Sequence, residues 1–213
     1  MVNNKINQRI GEKMNSRIES VYRKLECDRI HQGDILKNFS FFQLLGEIHE
    51  GEYEKVDYNY SIVLSQDCDL DGASKLDQKL LSKGEEELIN GNKFFPSVLI
   101  APLFEEKELN EGTYLSHLKF KMDEKGKKHK TKWKDIVSNN NPRYHYLGNF
   151  DETSKKYIMD FKIFYSVPYK LISNRFEDCY FTSLNELFRE DLSNRFFNYH
   201  SRIGLPEFDK NNK

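Results

Sequence analysis

The chain has little of what anchors the commoner functional classes. Its three cysteines, Cys27, Cys68 and Cys179, are an odd number without CxxC spacing. A disulfide framework is therefore not expected, and a reducing cytoplasm is the simplest setting. Cys27 and His31 are the one close thiol–imidazole pair, and no second pair completes a zinc set. Lys and Arg number 33 against 34 Asp and Glu, a formal charge of −1. Global charge thus argues for neither nucleic acid nor membrane; only local patches can. No apolar run approaches the roughly 20 residues of a membrane span. The opening residues, MVNNKINQRIGEK, lack the apolar stretch of a secretory leader. A Walker loop, a dinucleotide fingerprint, HExxH and a serine elbow are all missing. Internal repeats are missing too.

What is present is a core. The 213 residues are 38% hydrophobic and 14% aromatic, with 16 Phe and 12 Tyr, which suits one domain with extensions. The chain is organised around residues 60–72, YSIVLSQDCDLDG. Residues 61–65 are apolar and β-branched and read as a buried strand. The strand then breaks into Gln66-Asp67-Cys68-Asp69. Carboxylates and a thiol crowded at a buried strand end are costly unless paired or useful. If the extended geometry continues, Asp67 and Asp69 share a face and Cys68 opposes them. Such carboxylates suit a divalent cation such as Mg²⁺, and the thiol suits a nucleophile given a nearby base. The plainer alternative is a turn-capping aspartate and a buried cysteine.

Around this stretch the chain divides into three parts. Residues 3–26 carry Ile6, Ile10, Met14, Ile18, Val21, Tyr22 and Leu25 near every fourth position. This predicts an amphipathic N-terminal helix within 1–28, packed on the domain, recruiting a protein partner, or forming a homodimer. Residues 29–207 form one barrel-like domain, with inserts at 70–92 and 105–139. Gly33-Asp34 is a turn into a strand. Residues 39–48 are strand-like and 51–59 a loop. The first insert reads as two short helices parted at Gly84. Residues 94–102, 143–147 and 157–167 read as strands, the last ended by Pro168. Ser183 and Glu186 form a capping box for a C-terminal helix with Leu184, Leu187, Phe188, Leu192, Phe196 and Tyr199 on one face. Gly204 and Pro206 close that helix, and 208–213 is a disordered tail. The fold class is α+β: a mostly antiparallel SH3-like β-barrel or strongly curved sheet, flanked by the N-terminal amphipathic and C-terminal capped helices.

Three further groups carry chemistry. Arg143 and His145 share a face of a strand. Together they suit a phosphodiester, the guanidinium holding its oxygens and the imidazole moving a proton; the alternative is the polar face of a half-exposed strand. Arg195 and Arg202, seven apart on one helical face near His200, suit contact with a nucleic acid, or else form an ordinary cationic helix end. Lys127, Lys128, Lys130 and Lys132 beside Trp133 suit a phosphate backbone and a stacked base, or else a solvated loop.

The order of these elements resembles the MazF/PemK-type toxins. The resemblance rests on Gly33-Asp34-Ile35, Ser61-Ile62-Val63-Leu64-Ser65, Val98-Leu99-Ile100-Ala101-Pro102-Leu103, the run 157–171 and a closing helix, and covers roughly 33–200. It implies a small SH3-like barrel, a bacterial toxin-like or phage-defence setting, RNA as partner, and metal-free cleavage of single-stranded RNA. Two departures stand out. The arginine that precedes the family's central strand is replaced by Asn59-Tyr60. The Thr or Ser that follows the family's Ala-Pro pair is replaced by Leu103-Phe104. Three readings stand: an RNA-directed protein or ribonuclease using Arg143, His145 and Asp67; a non-catalytic interaction module; and a thiol enzyme using Cys68.

Overall fold

The computed structural model of the chain describes residues 20–45, 52–82, 91–124 and 130–201. The chain opens with β1 (Tyr22–Arg23) and β2 (Asp34–Lys37). A ribbon of β3 (Ser40–Leu45) and β4 (Glu52–Asp57) leads to β5 (Tyr60–Val63). Helix α1 (Asp67–Ser82) follows, then the long strand β6 (Ser97–Glu105). The next connection carries α2 (Glu106–Glu111) and α3 (Lys130–Val137). Strands β7 (Tyr144–Gly148), β8 (Tyr157–Asp160) and β9 (Tyr165–Pro168) come next, then short helices α4 (Tyr169–Ser173) and α5 (Phe176–Cys179). Strand β10 (Tyr180–Leu184) and helix α6 (Glu186–His200) complete the described chain.

The fold is mixed α+β around one curled, antiparallel half-barrel sheet. Its order is β1-β10-β2-β5-β6-β8-β7, with β9 also paired to β6. The curl brings the two edge strands together: the Tyr22 hydroxyl on β1 donates to the Leu147 carbonyl on β7. Alternation along the strands builds two faces. Tyr60, Ile62 and Leu64 face inward with Ala101, Leu103 and Met159, and Leu192 and Phe196 of α6 close that interior. Val63 faces outward with Leu36, Val98 and Ile100, under Leu70 and Ala73 of α1 and Ile172 of α4. Farther along, Leu109, Tyr114 and Ile136 from the 106–139 connection cover Phe104 and Ile158. With both faces covered, β5 and β6 are apolar at almost every position rather than at every second one. Among the described residues no helix is long and apolar enough to cross a membrane.

The structure corrects several expectations. The run 157–167 is two strands on the same edge of β6. Met159 pairs with Leu103 and Tyr165 with Ile100, so 160–164 bulge out opposite 101 and 102. Residues 52–57, expected as loop, pair along β3; one face of that ribbon is solvated, which is why its sequence is so polar. The described part of the first insert is a helix that begins at Asp67, before the insert's expected start; the second expected helix, past Gly84 within 83–90, lies outside the described residues. Ser183 is no helix cap. It belongs to β10, and Asn185 caps α6 by accepting from the Glu186 amide. The reason is pairing: β10 bonds β1 and β2 through Leu184, which pushes the helix start back. The N-terminal helix is predicted to reach residue 26, but Tyr22 and Arg23 are strand residues paired with Leu184 and Ser183. Its remainder, 3–19, and the tail from 202 on, with Arg202, Gly204 and Pro206, lie outside the described residues.

Candidate functional site

The site forms where the turn into β2 meets the chain leaving β5. Gly33 makes the turn at φ +84°, and a β-carbon there would lie 3.2 Å from Leu184 Cβ and 3.3 Å from Arg189 Cγ. Only glycine combines that backbone with that approach. Its amide bonds the Val63 carbonyl at 2.9 Å, and its carbonyl takes the Leu184 amide at 3.0 Å. The turn is thereby pinned between the centre of the sheet and the start of α6. Pinning points Asp34 inward and leaves His31 at the rim.

Asp34 is fully buried. Its carboxylate accepts from the His31 amide at 2.6 Å and from the Ser183 hydroxyl at 2.6 Å. Tyr180 Oη lies 2.9 Å from Ser183 Oγ and itself accepts from the Leu25 amide. Burial pushes the Asp34 carboxyl up to about 7, against the opposing pull of those two donors. His31 Nδ1 stands 3.8 Å from Asp34 Oδ2. Burial, then the charge of Arg29, holds His31 below its ordinary value. A buried carboxyl that changes charge near 7 beside an imidazole is a common feature of proton-transfer sites.

Asp67 joins this cluster, though by another geometry than expected. Asp67 and Asp69 stand in the first turn of α1 rather than on a strand, so two residues of separation put them on different helical faces. Arg29 grips Asp67 with both terminal nitrogens, at 2.9 and 3.3 Å. The Gln32 amide donates to it at 3.2 Å, and Arg189 Nη1 lies 3.9 Å away. Burial raises the Asp67 carboxyl, but the bonds and charge of Arg29 outweigh burial and hold it below the usual range. Two guanidiniums thus flank one carboxylate beside His31. Asp69 and Cys68 are exposed, with the thiol 3.9 Å from Asp69 Oδ1 and 3.8 Å from Gln66 Oε1. Among the described residues no three His, Cys, Asp or Glu side chains gather as metal ligands.

Arg143 and His145 are not a half-exposed face. Arg143 is locked onto buried Asp160, with Nε to Oδ1 at 2.8 Å and Nη2 to Oδ2 at 2.5 Å. The pair staples the 160–164 bulge to the strand before it, and Tyr114 and the Lys162 amide complete the carboxylate. His145 is buried, facing the half-barrel interior beneath α6. Arg195 Nε donates to its Nδ1 at 3.1 Å. The other Arg195 nitrogens bond the carbonyls of Asn139, Asn141 and Tyr144. Burial, reinforced by that guanidinium, lowers His145 to about 3. Arg195, expected on a cationic surface, is thus a half-buried clasp between α6, β7 and the chain after α3. Arg143 with His145 was the wrong pair to read as exposed: strand alternation set their face, but the helix that covers it comes from far along the chain.

The remaining candidates do not join the site. Trp133 packs onto the cluster under α3, and Lys132 is exposed. Lys130 begins α3, its side chain outside the described set, and Lys127 and Lys128 lie outside it altogether. Arg29, Asp34 and Arg189 were missed as site residues. The signal for them was present in part: a Gly-Asp turn next to a histidine, whose partner loop begins with Asp67. Comparison with protein-family models, curated proteins and solved structures finds no match to this chain.

Proposed function

We propose that this is an RNA-directed protein whose phosphate-handling groups are Arg29, His31 and Arg189, with the buried carboxyl of Asp34 behind His31. One observation carries the reading. His31 stands beside a buried carboxyl that titrates near 7, flanked by two guanidiniums, with side chains 15–18% exposed for His31, Arg29 and Arg189. Guanidiniums match phosphate oxygens, and an imidazole kept neutral by burial and Arg29 is free to accept a proton from a hydroxyl. In the cleaving form, His31 accepts the proton of an attacking 2′-hydroxyl as the P–O2′ bond forms. The P–O5′ bond breaks, and the leaving oxygen is protonated by water. The curled antiparallel sheet and the resemblance to metal-free RNA-cleaving toxins support this reading. It moves the chemistry away from Arg143 and His145, which are committed to internal bonds.

A second reading, a non-catalytic interaction module, is favoured by Asp67. That carboxylate is paired with Arg29 and the Gln32 amide, a complete structural role. One experiment separates the two. Purified protein is incubated with single-stranded and structured RNA and DNA, with Mg²⁺ or EDTA, and run on a denaturing gel. Cleavage of single-stranded RNA that survives EDTA and is lost in a folded His31→Ala variant is the expected result. RNA binding without cleavage selects the second reading. Neither cleavage nor binding by folded protein overturns the RNA-directed proposal.

A further inference from the structure

The Asp34 side chain has no exposed surface. A group sealed from water exchanges its proton through bonded neighbours, or else waits for the fold to open. The two carboxyl oxygens of Asp34 face different neighbours. Oδ2 accepts from the His31 amide at 2.6 Å and stands 3.8 Å from His31 Nδ1. Oδ1 accepts from Ser183 Oγ at 2.6 Å. A hydroxyl has a single hydrogen, so Ser183, having given its own to Asp34, accepts from Tyr180 Oη, 2.9 Å away. Tyr180 Oη in turn accepts from the Leu25 amide at 2.7 Å. The amide and both hydroxyls therefore point their hydrogens towards the carboxylate. Ser183 is buried, whereas Tyr180 is only part-buried. A chain of two hydroxyls thus runs inward to the oxygen that His31 leaves free.

We propose that Tyr180 and Ser183 carry protons between solvent and Asp34, so that the charge behind His31 is set through the carboxyl oxygen that His31 does not use. The transfer balances without moving a heavy atom. In the neutral state Asp34 Oδ1 carries the hydrogen and donates to Ser183 Oγ, Ser183 donates to Tyr180 Oη, and Tyr180 donates to water. When water takes the Tyr180 hydrogen, Ser183 passes its own to Tyr180 Oη and Asp34 passes its own to Ser183 Oγ. One proton has left, and one negative charge has appeared on the carboxylate. Other groups set how firmly Asp34 holds its proton, not the route. Arg29 favours the charged form and Asp67 opposes it. The thiols of Cys27 and Cys179 feel the Asp34 charge, and that of Cys179 bonds the Phe176 carbonyl instead. The use of this path in catalysis rests on the reading of His31 as proton acceptor; its test does not, because it needs no RNA.

The test follows the Asp34 carboxyl by NMR between pH 5 and 9, in full-length protein labelled with carbon-13 at the aspartate carboxyls and assigned with Asp34→Asn. Tyr180→Phe removes the outer hydroxyl and leaves the bond from Ser183 to Asp34. Its Asp34 midpoint is expected to stay within about half a pH unit of the wild type. Exchange between the two carboxyl forms, read by relaxation dispersion, is expected to slow about tenfold or more. Ser183→Ala is expected to slow exchange as well, and to raise the midpoint by about one pH unit or more, because a hydrogen bond to a charged acceptor is lost. Exchange as fast in Tyr180→Phe as in the wild type overturns the proposal. So does an Asp34 midpoint that Ser183→Ala leaves unchanged, or an Asp34 that does not titrate in this range. If both variants behave as expected but the wild type neither cleaves nor binds RNA, the path stands and the RNA-directed reading falls.

Discussion

His145 and His31 are both held below the ordinary imidazole value by burial and a nearby guanidinium, and what separates them is access to the surface. His145 faces a guanidinium, which donates to its Nδ1 and holds it neutral in a sealed interior. His31 faces a carboxylate and keeps part of its ring at the surface. A histidine that accepts from arginine in a closed interior is locked as an acceptor; one at the rim can still exchange a proton with what reaches it. The difference extends to the neighbours. Around His145 the donors meet carbonyls inside the protein. Around Asp67 two guanidiniums share one carboxylate at the rim.

The largest expected effect comes from opening the sealed side. Arg195→Met strips partners from three carbonyls and from His145 at once. Arg143→Met leaves Asp160 buried and unpaired. Each is expected to cost about 3–5 kcal/mol in urea unfolding, because removing one partner strands the other out of water. Arg29→Met, at the open cluster, is expected to cost about 1 kcal/mol or less, since water can solvate Asp67. Equal losses at Arg195 and Arg29 would collapse the distinction.

Next in size are the opposite pH responses of the two buried groups. His145 is depressed from 6.5 to about 3. Between those values the unfolded chain binds the extra proton, so its stability is full above 6.5 and is lost as pH falls towards 3. Asp34 is raised from 3.8 to about 7. There the folded state holds the extra proton, so its contribution is full below 3.8 and is lost as pH rises through 7. From pH 4 to 6.5 the two slopes oppose, each at most about 1.4 kcal/mol per pH unit. Asp34→Asn removes one of them. Urea midpoints at pH 4, 5, 6 and 7 should then show the variant gaining on the wild type as pH rises. A constant gap would mean that Asp34 does not titrate in this window.

Local pattern carried the central strands, because Ser61 to Leu64 and Val98 to Ala101 are apolar enough to identify themselves. It carried β7 and the existence of α6 as well. It failed where partners are distant. Ser183 precedes a glutamate at capping spacing, yet strand pairing to β2 keeps it extended. The run 157–167 holds no glycine or proline, yet Asp160 and Arg143 hold a bulge inside it. The site was half legible. Asp67 and the His31–Asp34 turn stood out separately, but nothing local says that Gly33 bonds Val63 and brings them together. Asp67-Cys68-Asp69 reads locally as a strand end, since helix propensity is weak there and the helical pattern of α1 begins only at Leu70.

Asp67 and Asp69 give a smaller contrast within one helical turn. Asp67 ties α1 to the loop before β2 through Arg29 and Gln32, whereas Asp69 is exposed. Asp67→Asn is expected to cost about 1 kcal/mol, Asp69→Asn about 0.5 or less. Adding Mg²⁺ sharpens this test. A thermal shift that needs both carboxylates would assign them to a cation; a Mg²⁺-independent Tm, with Asp67→Asn alone destabilising, assigns Asp67 to Arg29.

The smallest effect separates two thiols. Cys179 is buried on the outer core, and burial pushes its thiol up to about 11. Cys68 is exposed in the first turn of α1, and its thiol's hydrogen-bond partners among the described residues are Gln66 and Asp69. No imidazole is among its hydrogen-bond partners, so nothing bonded to it can take its proton. Cys68→Ser is therefore expected to change stability by less than about 0.5 kcal/mol and to leave RNA cleavage or binding intact. A thiol reagent should label Cys27 and Cys68 in the folded protein, and Cys179 only on unfolding. If Cys68→Ser abolished activity in folded protein, the thiol would be the nucleophile. The chemistry would then belong to the start of α1 rather than to His31, and the contrast between the two histidines would describe stability alone.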